Sequence, residues 1–142
     1  MIHYKSEEEI DLIKESSLLV AKTHAEISKL IRPGVTTLQL DKIAEEFIRD
    51  SGGLPAFKGY DSFPNTLCSS LNEQVVHGIP NDKPLNNGDV ISIDCGVLMN
   101  QYYGDSAYTY EVGEVSDEIS NLLKRTIYNK TRNFISCVCC VF

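Results

Sequence analysis

Val90-Ile91-Ser92-Ile93-Asp94-Cys95-Gly96-Val97-Leu98, then Met99-Asn100, then Gln101-Tyr102-Tyr103-Gly104-Asp105-Ser106-Ala107-Tyr108-Thr109-Tyr110-Glu111-Val112 is the stretch on which the fold turns. It is rich in β-branched and aromatic residues and reads as two long strands joined tightly. If Met99-Asn100 forms a two-residue turn, Leu98 opposes Gln101, and Asp94 directly opposes Asp105 on one face. Directly opposed Cβ atoms lie about 4.5–5.5 Å apart. The turn is a fair one, because Asn tolerates positive φ and Met does not favour it. Like charges so placed repel, unless one carboxyl is protonated or cations sit between them. The second arrangement suits a two-metal site with ions about 3.5–4 Å apart. Oxygen and imidazole ligation suits Mn, Fe(II), Co or Zn. The alternative is a hairpin with two solvated aspartates, since surface carboxylates are common.

Three features favour the site. Asp94 is embedded among apolar residues, where an unpaired charge is costly. Gly104 precedes Asp105, and a strand glycine often marks close approach of a ligand or a bulge. His77 follows Val75-Val76 and precedes Gly78. It could serve as a metal ligand, a proton donor or a partner to substrate, or be a satisfied, partly buried histidine. His3 and His24 read as surface and helix-face residues. Phe57, Tyr60, Phe63 and Cys68 could line an apolar pocket or simply be core.

Working outward, two amphipathic helices precede the strands. Ser6 with Glu9 and Thr36 with Gln39 are capping-box patterns. Ile10, Ile13, Val20, His24 and Ile27 recur at helical spacing in the first helix, and Leu40, Ile43, Ala44 and Phe47 in the second. Pro33-Gly34 and Gly52-Gly53 stop them. Leu67–Leu71 and Gln74–His77 read as short strands, Pro80–Gly88 as a loop, and Glu118–Ile127 as the start of a third helix. The expected class is α+β, amphipathic helices packed on an antiparallel sheet.

The 142 residues, 42% hydrophobic and 23% charged, suit one compact domain. No apolar run approaches the about 20 residues of a membrane span, and the charged N-terminus does not read as a secretory signal. The net charge of −7 argues against a nucleic-acid binder. Residues 1–118 hold all 20 acidic groups and 9 basic ones, a net of −11, while 119–142 carry Lys124, Arg125, Lys130 and Arg132 with no acid. The 5 cysteines suggest reduced thiols in the cytoplasm. Cys137, Cys139 and Cys140 are spaced too tightly for a zinc site.

Several ordered segments resemble type I methionine aminopeptidases: Asn72-Glu73-Gln74-Val75-Val76-His77-Gly78-Ile79-Pro80, Asn87-Gly88-Asp89-Val90, Ser92-Ile93-Asp94-Cys95-Gly96 and Tyr103-Gly104-Asp105-Ser106-Ala107. Gly59-Tyr60 and Phe63-Pro64 fall in place as well. The related prolidase and creatine-hydrolase families match Asn72–Pro80 less well. The resemblance implies half of a pita-bread (creatinase/aminopeptidase) fold around two divalent ions (Co, Mn, Fe or Zn). It implies removal of initiator methionine from nascent polypeptides in the cytoplasm, with ribosome proximity and no nucleic-acid or membrane partner. Asp94 would bind one metal and Asp105 bridge both. His77 would contact substrate as the catalytic hydrogen-bonding group. Tyr60, Phe63 and Cys68, with Phe57 in a variable position, would form the methionine pocket.

The family site also needs one histidine and two glutamates from its second half. Here His77 is the last histidine and Glu118 the last acid. Residues 1–126 therefore read as an N-terminal half, and 127–142 as a divergent tail, read out of frame on an interrupted gene or belonging to a shortened paralogue. The expected consequences are weak ion binding, poor folding or association, and little activity alone. A complementing C-terminal half, or a non-catalytic peptide- or partner-binding role, is the alternative.

Overall fold

The computed structural model describes residues 4–132, with side chains described through residue 126. Helix α1 spans Glu7–Ser28 and α2 spans Thr37–Asp50. Both start with a reciprocal capping box, Ser6 with Glu9 and Thr36 with Gln39. Each box satisfies backbone N–H groups that a helix start leaves orphaned. The strands are β1 (Leu54–Pro55), β2 (Leu67–Leu71), β3 (Val90–Met99) and β4 (Tyr102–Glu111). A single 3-10 turn, Tyr60–Ser62, lies between β1 and β2. Helix α3, Asp117–Arg132, runs through the expected boundary at residue 127. His3 and the three C-terminal cysteines lie outside the described residues.

All strand pairings are antiparallel, and β3 is central, with β1 and β2 along one edge and β4 along the other. Alternation along β3 divides the molecule into two faces. Ile91, Ile93, Cys95 and Val97 are fully buried beneath the helices. There they meet Val20 and Ile27 of α1 and Leu40, Ala44 and Ile48 of α2. Ser92, Asp94 and Gly96 point to the opposite face. Full burial of each large aliphatic chain contributes about 1.5–3 kcal/mol, so this layer carries the fold's stability.

The hairpin register differs from the expected one. Met99 pairs with Tyr102, and Asn100-Gln101 form the turn, with φ of 52° and 67°. A type I′ turn needs positive φ at both central residues. Placing Met99 in the strand leaves the first of these to Asn, which tolerates it. Asp94 consequently opposes Ala107, while Gly96 opposes Asp105. Gln74–His77 is not a strand either. Asn72 takes a φ of 52° and its side chain accepts from Val90 N at 3.0 Å, turning the chain out of β2. Val75 and Val76 are left exposed.

Gly104 marks the approach of a helix rather than of a ligand. A Cβ there would lie 2.6 Å from the backbone carbonyl carbon of Ser16 and the nitrogen of Ser17. Ser16 Oγ donates to the Tyr102 carbonyl at 2.9 Å, and α1 thereby lies directly on the outer strand.

Candidate metal and substrate site

A two-residue slip preserves the face of every side chain. Asp94 and Asp105 therefore still share the face away from the helices, as diagonal neighbours instead of opposed ones. Cys68 of β2 lies directly opposite Asp94 on its other side. Above them opens a cavity of about 380 Å³. Its lining includes Asp94, Asp105, Cys68, His77, Phe57, Tyr60 and Phe63, so every site residue expected from sequence reaches one place.

Local structure explains how each arrives. Phe57 lies across Gly96, where a Cβ would come within 2.5 Å of its ring. Ala56 N donates to the Gly96 carbonyl at 2.9 Å and anchors that end of the wall. The wall then closes on itself, with Gly59 N donating to Phe63 O at 2.8 Å and Phe63 N to Tyr60 O at 2.8 Å. At the far end, buried Asp41 of α2 accepts from Thr66 N at 2.9 Å and Leu67 N at 2.8 Å, which sets the start of β2 and hence Cys68. His77 takes a φ of 59°, and Gly78 passes so close to β2 that a Cβ would fall 2.2 Å from Ser69 O. These contacts hold the His77 segment against the cavity rim.

Sequence reasoning missed Asp61, Ser62, Pro64 and Ile79 in the lining. The first two adopt positive φ, a conformation that composition did not signal. Asp41 left a signal: an acid beside Leu40 on the buried stripe continued by Ala44 and Ile48. His24 is not a bland helix-face residue, being 8% exposed and bonded to β4.

The electrostatics single out Asp105. Burial, then the charge of Asp94 and a hydrogen bond with it, push its carboxyl up to about 7. Its Oδ2 is buried with no hydrogen-bond partner among the described residues. Burial, followed by Asp94, Asp105 and Asp41, pushes the Cys68 thiol up to about 12. In the metal-free protein Cys68 is therefore a neutral thiol rather than a thiolate nucleophile. An orphaned carboxylate oxygen beside a second carboxylate fits a hard divalent cation. Two carboxylates alone do not complete a coordination shell, and among the described residues no group of three or more His, Cys, Asp or Glu side chains could hold a metal.

Helices thus cover one face of the antiparallel sheet, and paired carboxylates lie under a cavity on the other. The model of metallopeptidase family M24 matches residues 11–137, and the chain belongs to that family. It is 48% identical over 126 residues to methionine aminopeptidase 1 of Bacillus subtilis (strain 168), covering 89% of this chain and 51% of that protein. Methionine aminopeptidase of Clostridium acetobutylicum is 44% identical over 127 residues, again 89% of this chain and 51% of the relative. The crystal structure of methionine aminopeptidase from Rickettsia prowazekii superposes with a TM-score of 0.89 at 36% identity, covering 92% of this chain and 53% of that one. The chain thus spans about half the length of the relatives it matches, and its architecture is half of the family's pita-bread fold. No helix among the described residues is long and apolar enough to cross a membrane.

Proposed function

We propose that this chain carries the N-terminal half of a methionine aminopeptidase site, which acts on peptides with a free N-terminal methionine. The observation that carries the reading is the pairing of Asp94 with Asp105, its Oδ2 unpartnered, under a cavity walled by Phe57, Tyr60, Phe63 and Cys68. The apolar wall takes the methionine side chain. Asp94 and Asp105, on one face of the sheet, would hold divalent ions (Co, Mn, Fe or Zn). Such ions supply Lewis-acid polarisation of the peptide carbonyl and a water of lowered pKa. His77, on the rim, donates a hydrogen bond to the carbonyl oxygen or peptide nitrogen as charge develops. The natural substrates are nascent chains in the cytoplasm, close to the ribosome, with neither nucleic acid nor membrane as a partner.

A complete shell requires an imidazole and two further carboxylates, which a complementing half would bring. The absence of a third ligand among the described residues favours a second reading, a fragment that binds Met-starting peptides without cleaving them. Release of methionine from Met-Ala-Ser by the purified chain with Mn²⁺ or Co²⁺ separates the two. Release abolished by Asp105→Ala supports a working site. Saturable binding of Met-Ala-Ser without release, with Ala-Ala-Ser excluded, supports the fragment. Neither binding nor release, with or without ions, refutes both.

A further inference from the structure

We infer that His24 is a positioning residue for the Asp105 carboxylate, holding the edge strand that carries it from the side of the first helix. The inference rests on the reading that Asp94 and Asp105 bind a divalent ion. The two carboxylates are not equally fixed. Asp94 sits on β3, which is hydrogen-bonded to β2 on one side and β4 on the other. Asp105 sits on β4, whose one strand neighbour among the described residues is β3. Edge strands are less constrained, yet ligation demands placement to within about 0.5 Å.

Helix α1 supplies the missing hold. Ser16 Oγ reaches the Tyr102 carbonyl at 2.9 Å, and His24 Nε2 reaches the Ser106 carbonyl at 2.8 Å. The two contacts bracket Gly104-Asp105. Ser16 has one hydroxyl proton to divide among Tyr102, Met99 and Leu12 carbonyls. The His24 N–H is aimed at the carbonyl of the residue following Asp105. Its tautomer follows from the network: the Ser106 carbonyl can only accept, so the neutral ring carries its proton on Nε2, and Nδ1 is left to accept from the Tyr110 hydroxyl at 2.9 Å, which also lies 3.4 Å from the His24 carbonyl. Tyr110 is also on β4, so the imidazole is clamped by the strand it restrains. At 8% exposure the contact is sheltered from water. A hydrogen bond that orients a ligand from outside the coordination shell typically changes metal affinity by about 10–100-fold.

The test titrates the full chain with Mn²⁺, reading free ion by EPR and folding by circular dichroism. His24→Leu is expected to lower affinity roughly tenfold in protein that remains folded. His24→Gln, which keeps an N–H donor of similar reach, should recover most of it. Thr23→Val is the structural control, since Thr23 Oγ1 bonds within α1 to Leu19 O at 2.9 Å and not to β4. In the metal-free protein at fixed pH, His24→Leu should move the ¹³C resonances of the Asp105 carboxyl and the Ser106 carbonyl. The Asp94 carboxyl should move less. Wild-type affinity in folded His24→Leu, or an equal loss in Thr23→Val, overturns the inference. An unmoved Asp105 resonance does so even if Mn²⁺ binding proves too weak to measure. If His24→Leu does not fold, Tyr110→Phe carries the same readouts with a smaller expected loss, and no change there refutes it. Wild-type affinity in Asp105→Asn would instead refute the metal reading.

Discussion

Replacing Asp105 with Asn should stabilise the metal-free protein at pH 8 and leave it unchanged near pH 4. Burial and the neighbouring Asp94 push the Asp105 carboxyl from 3.8 up to about 7. A carboxyl whose folded-state pKa is raised favours folding below its unfolded value. That contribution is lost as pH climbs through the folded value. The window therefore runs from about pH 4 to about pH 7. Three pKa units correspond to about 4 kcal/mol at 1.36 per unit, but the group is half-buried and solvent screening reduces this to about 2 kcal/mol. With a urea m-value of about 2 kcal/mol/M, the midpoint of Asp105→Asn should exceed that of wild type by about 1 M at pH 8. The two should coincide near pH 4. Saturating Mn²⁺ should reverse the order, because binding to the folded state stabilises only the chain that retains both carboxylates. Circular dichroism during urea titration at the two pH values reads all of this. A variant less stable than wild type at pH 8 without metal, or a difference independent of pH, would refute the electrostatic argument.

Gly104→Ala should destabilise the chain by about 2–3 kcal/mol or more in urea denaturation, because the new methyl meets α1 backbone that cannot rotate away. The Cys68 thiol, pushed up to about 12, should be alkylated by iodoacetamide at pH 8 at least about a hundredfold more slowly in folded protein than in urea. Peptide mapping isolates that residue from the other cysteines. Thr36→Ala removes the acceptor for Gln39 N at 3.1 Å and should cost about 1 kcal/mol by the same denaturation assay; no loss would mean that water replaces the cap.

What was legible in the sequence followed from periodicity and caps. Both helices begin where their Ser/Thr and Glu/Gln pairs place them, because a capping box is a local, four-residue interaction. The stripes read from spacing hold in part: Val20, His24, Ile27, Leu40 and Ala44 are buried, but Ile10 is exposed, Ile13, Ile43 and Phe47 are half-buried, and Ile48, outside the stripe, is fully buried. What sequence hid was set by long-range contact. His24 lay visibly on the stripe with Val20 and Ile27, but the strand that gives it hydrogen-bond partners is over 80 residues away. Gly104 suggested close approach correctly, and nothing local identified α1 as what approaches. Gln74–His77 has strand composition, yet Asn72 turns the chain at positive φ before it can pair. The Asn72–Val90 and Asn72–Asp89 hydrogen bonds that hold this turn span 18 and 17 residues.

The hairpin shows why a site can be legible even when its register is misread. Placing the turn at Met99-Asn100 instead of Asn100-Gln101 shifts the pairing by two residues, a full side-chain period. A shift of one would have sent Asp105 to the helix face, against apolar α1 side chains, where its charge would be very costly. The apolar alternation of Ile91, Ile93, Cys95 and Val97 excludes that shift, but it is indifferent to a slip of two. The choice between the two even registers falls to the turn, where Asn100 accepts positive φ more readily than Met99. The consequence for the site is specific. Direct opposition would have made Asp94 and Asp105 equivalent neighbours. The diagonal placement instead gives Asp94 the thiol of Cys68 and the methyl of Ala107 as direct neighbours, and leaves Asp105 with an oxygen that nothing in the sheet satisfies. That asymmetry is what makes Asp105 the carboxylate most in need of a cation.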